Sequence, residues 1–362
     1  MLCTLRKLKA LLTEKNVNYR YRFIWLKLVT LSQFIKWLFG LASVGLFLSG
    51  YITLNMPGQS YTGELPRLSL HEKRLMQNLR NDVEVLAGEK VGERNLEKYG
   101  NLLAAAEYIE KVLQDARYQT RRQSFRVEGK WCYNIEAEIS GRIKEKEIII
   151  VGSHYDTAPG CTGANDNASG VAANLALARY FSGRKLTRTL RFIFFVNEEL
   201  PYAQTAQMGS AVYAERCVQR KEKIIGMMNL ESIGYFSEEP GSQQYPLPMN
   251  FFYPRTGNFV GFIGNTSSKG LVQGIVGSFR SNTQFPSEGI IFPDSTEGLI
   301  MSDQWSFWQQ FYPALTITDT APFRYPHHHT IEDVPSRLNY EYMARLVAGL
   351  EVVLGEVARI VD

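Results

Sequence analysis

The distribution of apolar residues divides most of the chain into helical and extended segments. Apolar residues spaced three and four positions apart predict helices, and short, nearly unbroken apolar runs predict strands. The predicted helices cover residues 70–86, 95–116, 170–181, 209–219, 269–280 and 340–361. The predicted strands cover residues 134–139, 147–151, 189–196, 224–230, 259–263 and 314–317.

The order of these segments indicates the fold class. After residue 134, strands alternate with helices, as in the βαβ units that build a parallel sheet. Residues 147–151 and 189–196 are mostly apolar, which is typical of strands that helices cover on both faces. We therefore expect an α/β three-layer sandwich, in which helices flank a mostly parallel, mixed central sheet.

A long uncharged stretch lies near the N-terminus. Residues 37–56 contain no charged residue, and about 20 apolar helical residues are enough to cross a bilayer core. The eight basic residues of 1–36, against one acidic residue, favour a cytoplasmic location for that segment. The pattern predicts one N-terminal transmembrane helix, with the following domain on the non-cytoplasmic side, periplasmic or extracellular. A cleaved signal peptide is the main alternative. The glycines within 37–56 disfavour a buried core helix.

The positive charge of the chain is concentrated in this leader. The formal net charge is +4, and the chain beyond residue 36 is net negative once the leader's surplus is set aside. We therefore expect no nucleic-acid partner, and the membrane is the expected partner of the leader. Residues 57–69, rich in Pro, Gly and Ser, indicate a linker before a domain over 70–362.

Acidic and imidazole side chains follow four of the predicted strands. In an open α/β sheet, ligands bind beyond the carboxyl ends of the strands, so these side chains are expected to meet at one edge. A loop of small residues, 163–170, brings a further aspartate to the start of a helix. The candidate residues are His154, Asp156, Asp166, Glu198, Glu199, Glu231 and His329.

This set of residue types points to catalytic zinc. Imidazole and carboxylate ligands are typical of catalytic zinc sites, and the four cysteines show no CxxC spacing, which argues against a thiolate site. Two-metal sites, with the ions about 3.5–4 Å apart, occur in aminopeptidases. A pair of metals needs a bridging carboxylate.

Six short motifs occur in order along the chain: SHYDT, GANDNASG, NEE, LESIGY, SDQWSFW and HHHT. Together they resemble the M28 family of zinc peptidases, which comprises aminopeptidases, some carboxypeptidases and the related glutaminyl cyclases. The resemblance extends from about residue 70 to the C-terminus. It implies a zinc-peptidase fold and a metallo-exopeptidase that acts on peptides, releases N-terminal amino acids and binds two Zn²⁺ ions per chain.

The resemblance implies five metal ligands. His154 and Glu231 bind the first zinc, and Glu199 and His329 bind the second. Asp166 bridges the two ions. Without the accompanying motifs, each of these residues has an ordinary structural interpretation; Asp166, for example, is a good helix N-cap.

Two further residues have roles that the resemblance implies. Glu198 is the general base, which takes a proton from the attacking water. Asp156 orients His154, since metal-bound histidines commonly donate their second N–H to a carboxylate.

The sequence departs from the family pattern at two positions. The ligand at Glu231 is often an aspartate in the family, and the residue at His328 is often a tyrosine that stabilises the oxyanion. His328 is able to donate a hydrogen bond instead. Three consecutive histidines leave the choice of ligand open, and His329 is favoured because Thr330 follows it, as in the family.

The sequence leaves the role of one aspartate, the position of one loop and the choice of function open. Asp303 either caps a helix or shapes the pocket. Residues 235–258 are expected to form part of a substrate-facing loop. Two alternative functions remain: a glutaminyl cyclase with one zinc, and a binding domain that kept the peptidase fold without catalysis.

Overall fold

Eight strands form one mixed sheet within the residues that the computed structural model describes, which are 55–246, 249–294 and 302–361. The strand order is β1-β2-β4-β3-β5-β8-β6-β7. The strands are β1 (Arg121–Val127), β2 (Lys130–Ile139), β3 (Lys144–His154), β4 (Arg188–Phe195), β5 (Lys223–Glu231), β6 (Val260–Asn265), β7 (Ser287–Phe292) and β8 (Ala314–Thr318).

The centre of the sheet is parallel. β4, β3, β5 and β8 are neighbours that run in the same direction, whereas β2 and β6 pair with this group antiparallel. The carboxyl ends of the four central strands therefore lie at one edge of the sheet. The predicted mostly parallel, mixed sheet is confirmed.

Helices cover both faces of the sheet. They are α1 (Leu70–Ala87), α2 (Tyr99–Asp115), α3 (Gly170–Phe181), α4 (Gly209–Gln219), α5 (Lys269–Asn282), α6 (Asp303–Gln309), α7 (Ala321–Arg324) and α8 (Tyr340–Ala358). Side chains of β3 alternate between two cores. Ile149 and Val151 belong to a large core with α1, α2, α3, α5 and α8. Ile148 and Ile150 belong to a smaller core with α4 and α6, so the architecture has three layers.

The predicted elements correspond closely to the observed ones, but the short helices α6 and α7 and the strands β1 and β7 are absent from the prediction. The predicted helices 170–181 and 209–219 match α3 and α4 residue for residue. The two missing strands have a physical reason. Most residues of β1 (RRQSFRV) are exposed or half-buried, as its position at the sheet edge allows, so this strand lacks an apolar signal. β7 is short and includes Glu288 and Gly289, which are uncommon in strands.

The N-terminal predictions fall largely outside the described residues. The described residues from Met56 onward belong to one compact unit. The predicted basic segment 1–36, and all of the predicted transmembrane helix 37–56 except its last two residues, lie outside the described residues. Within the described part of the chain, no helix has the length and apolar character that crossing a membrane requires.

The predicted linker, 57–69, contains neither helix nor strand. It nevertheless packs against the domain, because Ser60 Oγ accepts a hydrogen bond from the backbone N–H of Ser287 at 2.9 Å. The guanidinium of Arg280 donates to the carbonyl of Pro57 at 3.3 Å. At the end of this segment, Ser69 is the N-cap of α1. Its side chain accepts the backbone N–H of Glu72, and the side chain of Glu72 accepts the backbone N–H of Ser69.

Candidate metal centre

The structure brings all seven predicted site residues to the carboxyl edge of the central strands. His154 is the last residue of β3, and Glu231 is the last residue of β5. Glu198 and Glu199 follow β4, and Asp166 lies in a kinked turn, Ala164–Ser169, between β3 and α3. Asp156 lies two residues after β3, and His329 lies in the segment that follows α7.

The first group of side chains surrounds the imidazole of His154. Its Nε2 atom lies 3.2 Å from Asp166 Oδ1 and 3.4 Å from Glu231 Oε1. Glu198 Oε2 lies 3.8 Å from the same nitrogen. One imidazole nitrogen and two carboxylate oxygens therefore converge, with Glu198 beside them.

The second group surrounds the imidazole of His329. Its Nε2 atom lies 3.1 Å from Asp166 Oδ2 and 3.1 Å from Glu199 Oε1. The two oxygens of Asp166 thus face two different histidines, which is the arrangement that a bridging ligand requires.

His328 lies beside this second group. Its Nδ1 atom is 3.2 Å from Asp166 Oδ2, and its ring stacks on that of His329 with 3.9 Å between centroids. The positive φ of His329, 55°, accompanies this stacking of two consecutive side chains. Both histidines therefore face the bridging carboxylate, and the choice of ligand among the three histidines narrows to these two.

These residues fit divalent metal ions. Tetrahedral zinc holds nitrogen and oxygen ligands at about 2.0–2.2 Å, which places neighbouring ligand atoms about 3.3–3.5 Å apart. The contacts within each group are close to this spacing. Asp166 Oδ1 and Glu199 Oε1 are buried without a hydrogen bond, although a histidine nitrogen lies 3.2 Å or 3.1 Å away. Buried oxygen and nitrogen atoms at this distance, outside hydrogen-bond geometry, are suited to a shared cation.

The site concentrates buried negative charge. Burial raises the pKa of Glu198 well above its ordinary value, and the nearby carboxylates of Glu231 and Glu199 raise it further. Burial and the charge of Asp166 raise the pKa of Glu199 to about 7. Carboxylates in such a site are stabilised in their charged form by cations.

The pKa values of His154 and His329 are raised as well, which for an imidazole favours the charged form. The carboxylates of Asp166 and Glu199, each with an oxygen 3.1 Å from His329 Nε2, raise the pKa of His329 to about 11. Burial opposes a charge on His154, but the surrounding carboxylates, Glu231 foremost, raise its pKa well above the ordinary value. The carboxylates around His154 and His329 thus favour positive charge at both proposed metal positions.

Asp156 connects the first histidine to the Glu198–Glu199 turn. Its Oδ1 accepts the backbone N–H of Glu198 at 3.1 Å, and its Oδ2 accepts that of Glu199 at 3.1 Å. Its Oδ1 also lies 3.5 Å from His154 Nδ1, while its carbonyl oxygen lies 3.2 Å from that nitrogen. Asp156 therefore positions the two glutamates and also lies next to His154.

A second layer of buried groups, which sequence reasoning missed, holds the turn of Asp166. The carboxylate of Asp333 accepts the backbone N–H groups of Asn165 at 2.8 Å and Asp166 at 3.1 Å. The side chain of Asn165 donates to Asp319 at 3.0 Å and accepts from the backbone N–H of Gly234 at 2.8 Å. The only signal in the sequence is position, since Asp319 follows β8 and Asp333 follows the histidines.

Ser302 and Asp303 also belong to the site. Ser302 Oγ donates to Glu231 Oε2 at 2.5 Å, so it fixes the orientation of that carboxylate. Asp303 is fully buried at the start of α6, and burial raises its pKa to about 8, with the charge of Glu231 adding to the rise. Sequence reasoning left Asp303 outside the catalytic set and did not single out Ser302.

A cavity of about 250 Å³ opens onto the two groups. Leu200, Ala203 and Pro322 form its apolar wall, and the described residues that line it include four carboxylates but no lysine or arginine. No described residue of 235–258 lines this cavity. Tyr245 and Tyr253 from that segment instead line a separate, mainly apolar space over β6 and β7.

Comparison with known sequences identifies a family match and two similar proteins. The profile of Peptidase family M28 matches residues 134–352. Protein YfbL of Escherichia coli strain K12 is 32% identical over 82% of this chain and 92% of its own length. Aminopeptidase YwaD of Bacillus subtilis strain 168 is 35% identical over 28% of this chain, and the match covers 22% of YwaD.

Comparison with solved structures gives the same fold. The aminopeptidase from Aneurinibacillus sp. strain AM-1 superimposes with a TM-score of 0.60 at 19% identity, over 81% of this chain and 96% of that structure. Glutaminyl cyclase from Macrostomum lignano superimposes with a TM-score of 0.60 at 19% identity, over 84% of this chain and 97% of that structure. At this level of identity, both comparisons show a shared fold.

Proposed function

The chain belongs to peptidase family M28, a family of metallopeptidases, and from this premise we propose that it is a two-zinc exopeptidase that releases amino acids from the N-terminus of peptides. The observation that carries the proposal is the position of Asp166. Its two oxygens lie 3.2 Å from His154 Nε2 and 3.1 Å from His329 Nε2. A single carboxylate between two imidazoles is what a bridged pair of ions needs.

Five side chains would hold the pair of zinc ions. His154 and Glu231 would hold the first, Glu199 and His329 the second, and Asp166 would contribute one oxygen to each. The glutamate at position 231 is compatible with this role, because its Oε1 lies 3.4 Å from His154 Nε2. Zinc, when bound in such a pair, lowers the pKa of a shared water and polarises the scissile carbonyl.

Glu198 is the base in the proposed reaction. Its carboxylate lies 3.8 Å from His154 Nε2, next to the ligands, and it is almost fully buried. Neighbouring negative charge and burial raise its proton affinity, which suits a group that must accept a proton from the attacking water. Glu198 then delivers this proton to the nitrogen of the leaving amine.

The lining of the cavity favours the free amine of a peptide over its free carboxylate. Asp166, Glu198, Glu199 and Glu231 all line the cavity. A C-terminal carboxylate would approach this set without a lysine or arginine among the described lining residues. In this described part of the lining, no lysine or arginine is therefore at hand to bind a free carboxylate, and the relative YwaD is an aminopeptidase, so we assign the enzyme to the aminopeptidases rather than the carboxypeptidases.

The test is hydrolysis of paired substrates by the zinc-loaded protein. We expect release of the chromophore from leucine p-nitroanilide and little or none from its N-acetyl derivative, because acetylation removes the free amine that an aminopeptidase requires. A dipeptide whose N-terminus is blocked but whose C-terminus is free serves as the carboxypeptidase control. Faster cleavage of the blocked substrates would contradict the assignment.

A glutaminyl cyclase is the second candidate. Two observations favour it: the structural similarity to the cyclase from Macrostomum lignano, and the carboxylate of Glu231, whose two oxygens accept hydrogen bonds from Ser302 and Ser232. A cyclase of this kind would need one zinc and would convert N-terminal glutamine to pyroglutamate. Zinc content per chain, together with assays on glutamine peptides, separates the two candidates.

We also propose that residues 37–56 attach the enzyme to a membrane as a single transmembrane helix. The support is the uncharged stretch of residues 37–56, which follows the basic residues of 1–36. In this arrangement the peptidase domain lies on the non-cytoplasmic side, periplasmic or extracellular, where it meets peptide substrates.

A further inference from the structure

Arg94 is a fully buried arginine in the segment between α1 and α2. Its Nε donates to the carbonyl of Tyr155 at 2.8 Å. Its Nη1 lies 2.6 Å from the carbonyl of Thr162, and its Nη2 donates to that of Gly163 at 3.0 Å. Nη1 also lies 2.8 Å from the carbonyl of Leu86, near the end of α1.

These acceptors lie directly beside the metal ligands in the chain. Tyr155 follows His154, and Thr162 and Gly163 precede the turn that contains Asp166. The backbone of Arg94 is fixed as well, because its N–H donates to Thr157 Oγ1 at 3.0 Å and its carbonyl accepts from the Thr157 N–H at 2.8 Å. One side chain thus connects α1, the loop after β3 and the turn before α3.

The charge of Arg94 has no carboxylate as a direct hydrogen-bond partner among the described residues. All the side-chain bonds go to main-chain carbonyls. The nearest negative charges include Asp156, Asp166 and Asp333. Burial lowers the pKa of Arg94 to about 10, so the side chain is still charged at neutral pH. A buried cation without a paired anion is costly, and its position beside the ligand loops gives it a role there.

We propose that Arg94 is a positioning residue for the first zinc site: its guanidinium holds the loop of His154 and the turn of Asp166 at the separation that lets both side chains bind one ion. The inference depends on the proposed function, since it requires a metal between these residues. The guanidinium suits this task because it presents several N–H donors in a fixed, planar arrangement. A lysine at the same position has one nitrogen, which cannot reach the three loop carbonyls together.

The experiment compares zinc affinity in the Arg94→Lys and Arg94→Met variants with that of the natural protein. Zinc dissociation constants are measured by competition with a chromogenic chelator, at a temperature where circular dichroism shows each variant to be folded. We expect zinc affinity to fall by about 10–100-fold in both variants, the usual effect of removing a group that orients metal ligands. The lysine variant retains the positive charge, so a loss of zinc affinity in that variant would result from the altered hydrogen-bond geometry.

Arg191→Met is the matched control. Arg191 is also buried, but it forms ion pairs with Glu138 and Glu222 and contacts Tyr213 of α4. We expect Arg191→Met to lower the thermal unfolding temperature while the zinc affinity stays within about twofold of the natural value. A merely structural Arg94 would give this same result.

The outcomes separate this inference from the proposed function. If the natural protein binds no zinc, the proposed function is wrong. If the natural protein binds zinc and either Arg94 variant binds it equally well, only the positioning role is wrong. Failure of both Arg94 variants to fold would assign Arg94 to domain stability and would also overturn the positioning role.

Discussion

The carboxylate of Asp156 holds the backbone of Glu198. Asp156 Oδ1 accepts the Glu198 N–H at 3.1 Å, and Oδ2 accepts the N–H of the next residue at the same distance. Asp156 leaves the sheet after β3 and Glu198 leaves it after β4, so these bonds fix two neighbouring strand ends to each other. The proposed base and a proposed metal ligand therefore have a defined position relative to His154.

Replacement of Glu198 by glutamine tests the role of the base. Glutamine has nearly the same shape but accepts no proton, so we expect the rate of turnover to fall by about 10²–10⁴-fold. Zinc content and the unfolding temperature should stay close to those of the natural protein, because Glu198 is not a proposed ligand. Glu215→Gln, on the exposed side of α4, is the control and should keep full activity. Turnover near the natural rate in the Glu198 variant would show that another group is the base.

Substitutions at Asp166 and Glu199 test the bridge. Asp166→Asn removes a charged ligand from both proposed ions, whereas Glu199→Gln removes a ligand from the second alone. We expect the first variant to lose most bound zinc and the second to retain about one ion per chain. The measurement is zinc per chain by atomic emission after dialysis against metal-free buffer. Equal zinc content in the two variants would contradict a bridging role for Asp166.

The sequence was sufficient to predict that these acidic and imidazole side chains meet at one edge of the sheet, because most of them end or directly follow an apolar strand or lie in a small-residue loop. His154 and Glu231, for example, end the apolar segments IIIVGSH and IIGMMNLE. The parallel centre of the sheet was predictable for the same reason, since its strands are buried on both faces. The two missed strands, β1 and β7, are the edge strands of the sheet, where burial on two faces is not required.

The supporting residues were not predictable in the same way. Arg94 stands in the polar segment GERN, Asp319 follows β8, and Asp333 lies four residues after His329. Most of their partners are main-chain groups from distant parts of the chain, such as the N–H of Asn165 and the carbonyl of Tyr155. A main-chain donor or acceptor is present in nearly every residue type, so the sequence does not reveal these contacts. Only the assembled fold identifies them.

The buried aspartates predict how the stability of the zinc-free protein depends on pH. Burial raises the pKa of Asp319 to about 7 and that of Asp333 to about 6, above the value of about 3.9 in an unfolded chain. Each residue therefore keeps its proton in the folded state at a pH where the unfolded chain has lost it. Its stabilising contribution is complete below about pH 4 and is lost as the pH rises through the folded value.

We therefore expect the free energy of unfolding of the zinc-free protein to decrease from about pH 5 to about pH 8. Carboxyl groups with a lowered pKa, such as Glu136, act in the opposite sense but below this range. The measurement is urea unfolding at several pH values, with Asp319→Asn as the comparison, which should show a shallower decrease. A stability that increases across the range would contradict the assigned shifts.

The proposed membrane topology predicts the location of the C-terminus. A reporter enzyme that is active only outside the cytoplasm, fused after residue 362, should be active in cells. A reporter that is active only in the cytoplasm, fused at the same place, should be inactive. Replacing several of the basic residues in 1–36 by glutamine should weaken this asymmetry, because flanking positive charge sets the orientation. The reverse pattern of reporter activity would show that the domain faces the cytoplasm.

The most direct test of the two-zinc proposal is a crystal structure of the zinc-loaded protein with anomalous data collected at the zinc absorption edge. The proposal predicts two anomalous peaks about 3.5–4 Å apart, one in contact with His154, Asp166 and Glu231. The other peak should contact Asp166, Glu199 and His329. A single peak, or peaks that do not touch Asp166, would contradict the proposal.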